Sequence, residues 1–202
     1  MVLGFPGLAL AHPHIFVATG LTPVVSEDGR LTGIEVTWRY DAFYSLLVLE
    51  DMGLDSDHDG VLTAAELARL DGFDMQWIEG YAGDLFVHEG ARALELGPPE
   101  PRRSAFEDGM ITTSHFRAIK AAGKGPFMIQ AYDPTYYTAY DLGLGVGMAN
   151  GCTAEVIAPD IGAAETRLKA ELAKLPKDAE LNFPEVGDVF AEKVMLRCGA
   201  DS

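Results

Sequence analysis

The run IFVATGLTPVVSEDGRLTGIEVTWRYD, residues 15–41, decides the fold. From His14 to Val25 the chain is rich in β-branched and aromatic residues, which suit a pleated, half-buried surface. Glu27-Asp28-Gly29-Arg30 supplies a turn. Leu31 to Tyr40 then alternates, with Leu31, Gly33, Glu35 and Thr37 set against Thr32, Ile34, Val36 and Trp38. A period of two on either side of a Gly-containing turn predicts a β-hairpin with one buried face. At Asp41 the period changes. Phe43, Leu46, Leu47 and Leu54 follow helical spacing, and Asp41 is placed to cap the first turn.

Outward from this stretch, a second helix is predicted from about Thr63 to Tyr81, with Leu67, Leu70, Trp77, Ile78 and Tyr81 on one side and Asp71-Gly72 as a bend. Short strand-like runs follow at Leu85–His88, Ala93–Leu96, Phe106–Ala121 (interrupted), Phe127–Tyr132, Tyr136–Asp141 and Cys152–Ala158. Gly-Pro-Pro-Glu-Pro at 97–101 and the stretch from Gly143 to Gly151 read as loops. Asp160 opens an amphipathic helix with Ile161, Leu168, Leu172 and Leu175 inward, Pro176 stops it, and Val189 to Cys198 reads as a closing strand. The expected fold class is α+β: an antiparallel sheet with an inserted EF-hand-like helix-loop-helix at about 41–82 and one late amphipathic helix. Residues 12–202 read as a single domain.

Fifteen Lys+Arg against 31 Asp+Glu give a net charge of −16. A surface this acidic repels phosphate backbones and anionic headgroups, so nucleic-acid binding is not expected and cations are the natural partners. Residues 1–11, MVLGFPGLALA, form an uncharged apolar run ending in Ala9-Leu10-Ala11. That small-x-small ending reads as the remnant of a signal peptide, leaving His12 as the mature N-terminus of a periplasmic protein. The other reading is a buried N-terminal strand. No stretch is a transmembrane candidate. Cys152 and Cys198 are the only cysteines. In an oxidising compartment they would form one disulfide tying the end of the chain to the strand near Cys152; two buried thiols are the alternative.

The most specific motif is Asp55-Ser56-Asp57-His58-Asp59-Gly60-Val61-Leu62-Thr63-Ala64-Ala65-Glu66, which fits the EF-hand calcium loop at each defining position. Asp55, Asp57 and Asp59 offer carboxylates at alternate positions, and Gly60 permits the sharp turn. Val61 would give its carbonyl, Thr63 would act through a water, and Glu66 would close the site with both oxygens. Carboxylates gathered this closely repel one another unless a cation sits among them. Thr63-Ala-Ala-Glu66 doubles as a capping box for the next helix. Calcium suits the bidentate ligand and high oxygen count better than magnesium, and a single loop fits a structural site better than a sensor. The plain alternative is a solvated acidic turn.

His12-Pro13-His14 would begin the mature chain. A terminal His can chelate through its amine and ring together, and a second imidazole suits copper, nickel, cobalt or zinc. Pro13 has no N–H to deprotonate, which excludes the mode that runs through the amide of residue two. Further ligands are to be sought among Asp41, His88, His115 and Asp133. Exposed terminal histidines without a metal are the other reading.

Ala11-His-Pro-His14, the Trp38-Arg-Tyr-Asp41 junction, the Asp-rich loop after the next helix and Tyr132-Asp-Pro-Thr-Tyr-Tyr137 together resemble domain-of-unknown-function family one thousand and seven. The similarity runs from His12 to about Cys198, with Tyr40 standing where the family usually has Phe. The resemblance implies a bacterial periplasmic component of an uncharacterised transport system, encoded beside or fused to nickel/cobalt-type permeases. It implies an inner-membrane metal permease as partner. Its proposed metal residues carry over to His12 and His14, while Asp41 and Asp133 match its pattern without a determined role.

The expected function is therefore a periplasmic, non-enzymatic metal-binding accessory protein of a transition-metal transport system, with a structural calcium site. No nucleophile elbow, zinc-protease motif or phosphate loop is present. Two other readings stand beside it. One is a calcium-stabilised interaction domain without a transition metal. The other is a copper-dependent oxidative enzyme built on the N-terminal His, with Tyr132, Tyr136, Tyr137 and Tyr140 as a substrate surface.

Overall fold

The computed structural model describes residues 13–121, 123–175 and 183–198. The opening stretch forms the expected hairpin: β1 (Ile15–Val25) pairs antiparallel with β2 (Leu31–Tyr40). Alternation puts Ile34, Val36, Trp38 and Tyr40 inside. Helix α1 (Ala42–Met52) follows, with Asp41 as its N-cap accepting from the Tyr44 amide, and Gly53 closes it in the left-handed conformation. Helix α2 (Ala64–Leu70) is capped by Thr63 and Glu66 in the reciprocal box.

The remaining elements are β3 (Leu85–Glu89), β4 (Arg92–Ala93), β5 (Leu96–Glu107), β6 (Met110–Ile119), β7 (Phe127–Ala131), β8 (Thr138–Val146), β9 (Cys152–Ile157), α3 (Ile161–Leu172), α4 (Gly187–Phe190) and β10 (Lys193–Cys198). The strands build two five-stranded sheets, ordered β5-β6-β2-β1-β8 and β4-β3-β7-β10-β9. One continuous core draws on both sheets, with Val17, Ile34, Val36 and Ile111 from the first and Val87, Phe127, Ile129 and Val194 from the second. Full burial of side chains of this size contributes about 1.5–3 kcal/mol each. Helix α1 is fastened to β6 through buried Ser45, whose Oγ accepts from the Ile111 amide at 2.9 Å. The Ser104 hydroxyl donates to the Leu70 carbonyl and ties the end of α2 to β5.

The mixed α+β class stands, with four differences in detail. There are two sheets rather than one, and β1–β8 is a parallel pair. The second helix stops at Leu70, with Asp71 as its extended C-cap and Gly72 at φ +72°; Trp77 packs against the core from a loop, and Ile78 and Tyr81 are exposed. Residues 97–101 lie within strand β5, where their prolines are tolerated because β5 is an edge strand bonded on one side only. Strand β8 runs on through Val146, into the expected Gly143–Gly151 loop, and the segment from Val189 first completes the short helix α4 before β10 begins.

Cys152 and Cys198 face each other in the β9–β10 register and form a disulfide, with Cα atoms 4.1 Å apart. No described helix is long and apolar enough to cross a membrane.

Candidate functional site

Two places concentrate chemistry. The first is the loop between α1 and α2. Oxygens of Asp55, Asp57 and Asp59 lie within 4.8 Å of one another. They are the only group of three or more metal-ligating side chains this close among the described residues. The backbone bends at Asp55, His58 and Gly60, all with positive φ. The Gly60 amide donates to both oxygens of Asp55 at 3.2 Å, and the Val61 amide donates to Asp59. Glu66 closes the loop end to end: Oε1 accepts from the Asp55 amide at 3.1 Å, and Oε2 accepts from the amide and hydroxyl of Thr63. These hydrogen bonds, the Thr63 amide first, hold the Glu66 carboxyl below its ordinary range. Val61 is exposed. All-oxygen donors on a tight, exposed turn fit a hard divalent cation such as calcium.

The second place is a cleft of about 720 Å³. Strand β2 contributes Trp38 and Tyr40, and β8 contributes Tyr140. The loop after α2 contributes Asp74, Trp77 and Tyr81, and Asp84 stands just before β3. The rim carries Asp133 and Thr135 from the turn between β7 and β8, together with Ile15 and Glu185. Two carboxylates are sunk into this aromatic wall. Asp84, 6% exposed, accepts at Oδ2 from the hydroxyls of Tyr81 (2.7 Å) and Tyr140 (2.9 Å). Burial pushes its carboxyl up to about 6 against these hydrogen bonds, and the nearby Asp133 charge adds to the rise. Asp74 accepts at Oδ2 from Tyr40 (2.7 Å) and Thr113 (2.6 Å), and burial raises it too.

The wall is held from behind. Arg117, 3% exposed, donates to the carbonyls of Gly97 (2.8 Å) and Ala82 (3.0 Å), and its guanidinium rests 4.6 Å from the Trp77 ring. Burial lowers it to about 10. Gly83, at φ +69°, leaves room for this packing, since a Cβ there would overlap both Trp77 and Arg117. His115 lies fully buried and edge-on to Trp38 at 4.6 Å. Burial, with the Arg117 charge adding, lowers its pKa to about 3, so the ring is neutral.

The expected histidine site is placed in part. His12 lies outside the described residues, as does the 1–11 leader. His14 is exposed just before β1, its amide donating to the Tyr137 carbonyl and its ring 4.8 Å from Tyr137. Since Ile15 pairs with Thr138 and both line the cleft, the start of β1 emerges at the cleft mouth. Asp41 has each carboxylate oxygen on a backbone amide, Tyr44 and Phe16. Asp133 likewise braces its own turn, bonding Thr135 and the Thr138 amide. His88 points from β3 into a separate pocket, and His115 is enclosed by tryptophans. The tyrosines divide among roles: Tyr132 stacks on Phe86 at 4.1 Å, Tyr136 on Phe190 at 4.2 Å, and Tyr140 is inside the cleft.

Sequence reasoning missed Asp74 and Asp84. The available signal was aromatic flanking, as Phe73 and Trp77 about Asp74, and Tyr81 and Phe86 about Asp84.

Comparison with known proteins gives two findings. The family described as "Protein of unknown function (DUF1007)" matches residues 1–198. A Haemophilus influenzae protein described as "Uncharacterized protein" is 25% identical over 199 residues, covering 94% of this chain and 92% of its own.

Proposed function

Since the chain belongs to the DUF1007 family of unknown function, we propose that it is a periplasmic accessory protein of a transition-metal transport system, with calcium bound in the Asp55–Glu66 loop. The observation that carries the metal reading is the convergence of Asp55, Asp57 and Asp59 within 4.8 Å. In this EF-hand reading α1 and α2 are the flanking helices. The Val61 carbonyl and Thr63 complete the oxygen set, and Glu66 releases Thr63 to bind the ion. Calcium there acts as a staple between α1 and α2.

The transition metal, nickel, cobalt, zinc or copper, is held by His12 and His14 where β1 emerges at the cleft mouth. Asp41 and Asp133 support that end of the chain as bracing groups. The disulfide and the lack of a long apolar helix among the described residues are compatible with an exported protein. An inner-membrane permease is the expected partner, by family resemblance.

The test is isothermal titration of chelator-stripped protein beginning at His12 with each metal in saturating calcium, beside a version with one extra residue before His12. One-to-one binding weakened by the extension supports a site on the free N-terminus. No heat in either version removes the transition-metal role. A second reading then applies, favoured by the exposure of Phe43 (68%), Leu46 (52%) and Leu47 (49%) on α1: a calcium-stabilised interaction domain.

A further inference from the structure

The cleft has a composition that neither metal role uses. Trp38, Trp77, Tyr81 and Tyr140 form a contiguous aromatic arc: Tyr140 to Trp38 is 5.7 Å between centroids, Trp38 to Trp77 6.4 Å, and Trp77 to Tyr81 5.4 Å. Set into it are the carboxylates of Asp74 and Asp84, with Asp133 and Glu185 at the rim, and among the described residues no Lys, Arg or His lines the space. The buried cation behind the wall, Arg117, is committed to two carbonyls and to the outside of Trp77.

Buried carboxylates are costly unless a cation or a full set of donors meets them. Here the donors are incomplete: Asp74 Oδ1 is buried with no partner among the described residues. The Asp84 backbone also sits at φ +50°, a conformation most side chains avoid, directly after Gly83. A negative, aromatic, roomy space selects against anions and for a cation.

The kind of cation follows from spacing. No three metal-ligating groups of this cleft converge as the loop aspartates do. Both oxygens of Asp133 already brace its turn. A bare divalent ion would find too few ligands, whereas a cleft of about 720 Å³ lies in the range of pockets that take small organic molecules. Aromatic faces attract an ammonium through their quadrupoles, and an oxygen without a donor prefers one that carries N–H groups.

We propose that this cleft is a binding site for a protonated organic amine, held by the Asp74 and Asp84 carboxylates against the Trp38–Trp77–Tyr140 wall. The site shares no ligand with the calcium loop or with the N-terminal histidines, although the latter stand at its mouth, and its test reads Asp74 and Asp84 alone. The charged and titratable groups facing Asp84 are Tyr81, Tyr132, Tyr140 and Asp133.

The chain's two tryptophans both line the cleft, so intrinsic fluorescence reads it directly. The full chain, in calcium, would be titrated with 1,4-diaminobutane and spermidine, with 1,4-butanediol and maltose as neutral probes and nickel chloride as a metal probe. The expected result is a saturable change with the amines alone, weakened at least about tenfold by Asp84→Asn and by Asp74→Asn. Circular dichroism of each variant checks that it is folded. An equal response to the neutral probes, a response to nickel that the amines do not match, silence with both amines, or undiminished binding in folded Asp84→Asn would each overturn the proposal.

Discussion

The ring of His115 stands edge-on to Trp77, with centroids 5.8 Å apart and planes at 89°, while both of its nitrogens lack a hydrogen-bond partner among the described residues. An imidazole in that setting is a hydrophobic ring that has retained a titratable group. Its pKa is about 3 in the folded protein against 6.5 for the ordinary group. Below about pH 6.5 the unfolded chain takes up a proton that the folded chain refuses. Stability attributable to His115 is thus whole above pH 6.5 and falls as the pH drops toward 3, by about 1.4 kcal/mol per unit. His115→Phe keeps the ring and discards the proton site. We expect it to melt close to wild type at pH 7.5 and well above it at pH 5, measured by thermal denaturation.

Asp84 works in the opposite direction. Its folded pKa of about 6 lies above the ordinary 3.8, so its contribution is whole below pH 3.8 and lost as the pH rises through 6. Asp84→Asn, which keeps an oxygen for Tyr81 and Tyr140, should stabilise the protein above pH 6.5 by up to about 3 kcal/mol. The gain should disappear near pH 4. Urea melts at the two pH values check this.

For the loop, Asp55→Ala combined with Glu66→Ala should abolish any calcium-induced rise in Tm. It should also cost about 1 kcal/mol without calcium, through loss of the α2 cap. Differential scanning with calcium and with chelator separates the two effects. His-dependent metal binding should remain measurable in the same variant. Joint loss of both sites would mean that they are coupled.

Replacing Cys152 and Cys198 together by Ser should lower stability by about 2–4 kcal/mol in the chain-entropy account. Reductant should bring wild type down to the same level, and denaturant curves with and without reductant measure both.

The hairpin of β1 and β2 was legible because its signal is local: alternation on Ile34, Val36 and Trp38, and a Gly-bearing turn between the strands. The Asp41 cap and the disulfide were legible for the same reason, since each rests on residue chemistry at a definable place. The second helix was overextended because Trp77, Ile78 and Tyr81 continue an apolar period by coincidence. Gly72 at positive φ and the claims of Asp74 on Tyr40 and Thr113 carry the chain elsewhere. Strand β5 was masked by Pro98, Pro99 and Pro101, whose missing amides matter only in a central strand. The parallel β1–β8 pair joins residues far apart in sequence, and a pairing of that kind leaves no local period to read.

The cleft was the least legible part. Among 31 acidic residues nothing in composition separates Asp74 and Asp84 from a solvated surface acid. Their burial is a product of where β2, β3 and β8 meet. The triplet Asp55, Asp57 and Asp59 was visible because its spacing and its geometry are the same local fact.

Strand β10 lies between β7 and β9 in the second sheet. Both of those strands precede it in the chain, so that side of the sheet closes only when a later segment is inserted between two strands already laid down. The cystine of Cys152 and Cys198 then fastens the inserted strand to β9.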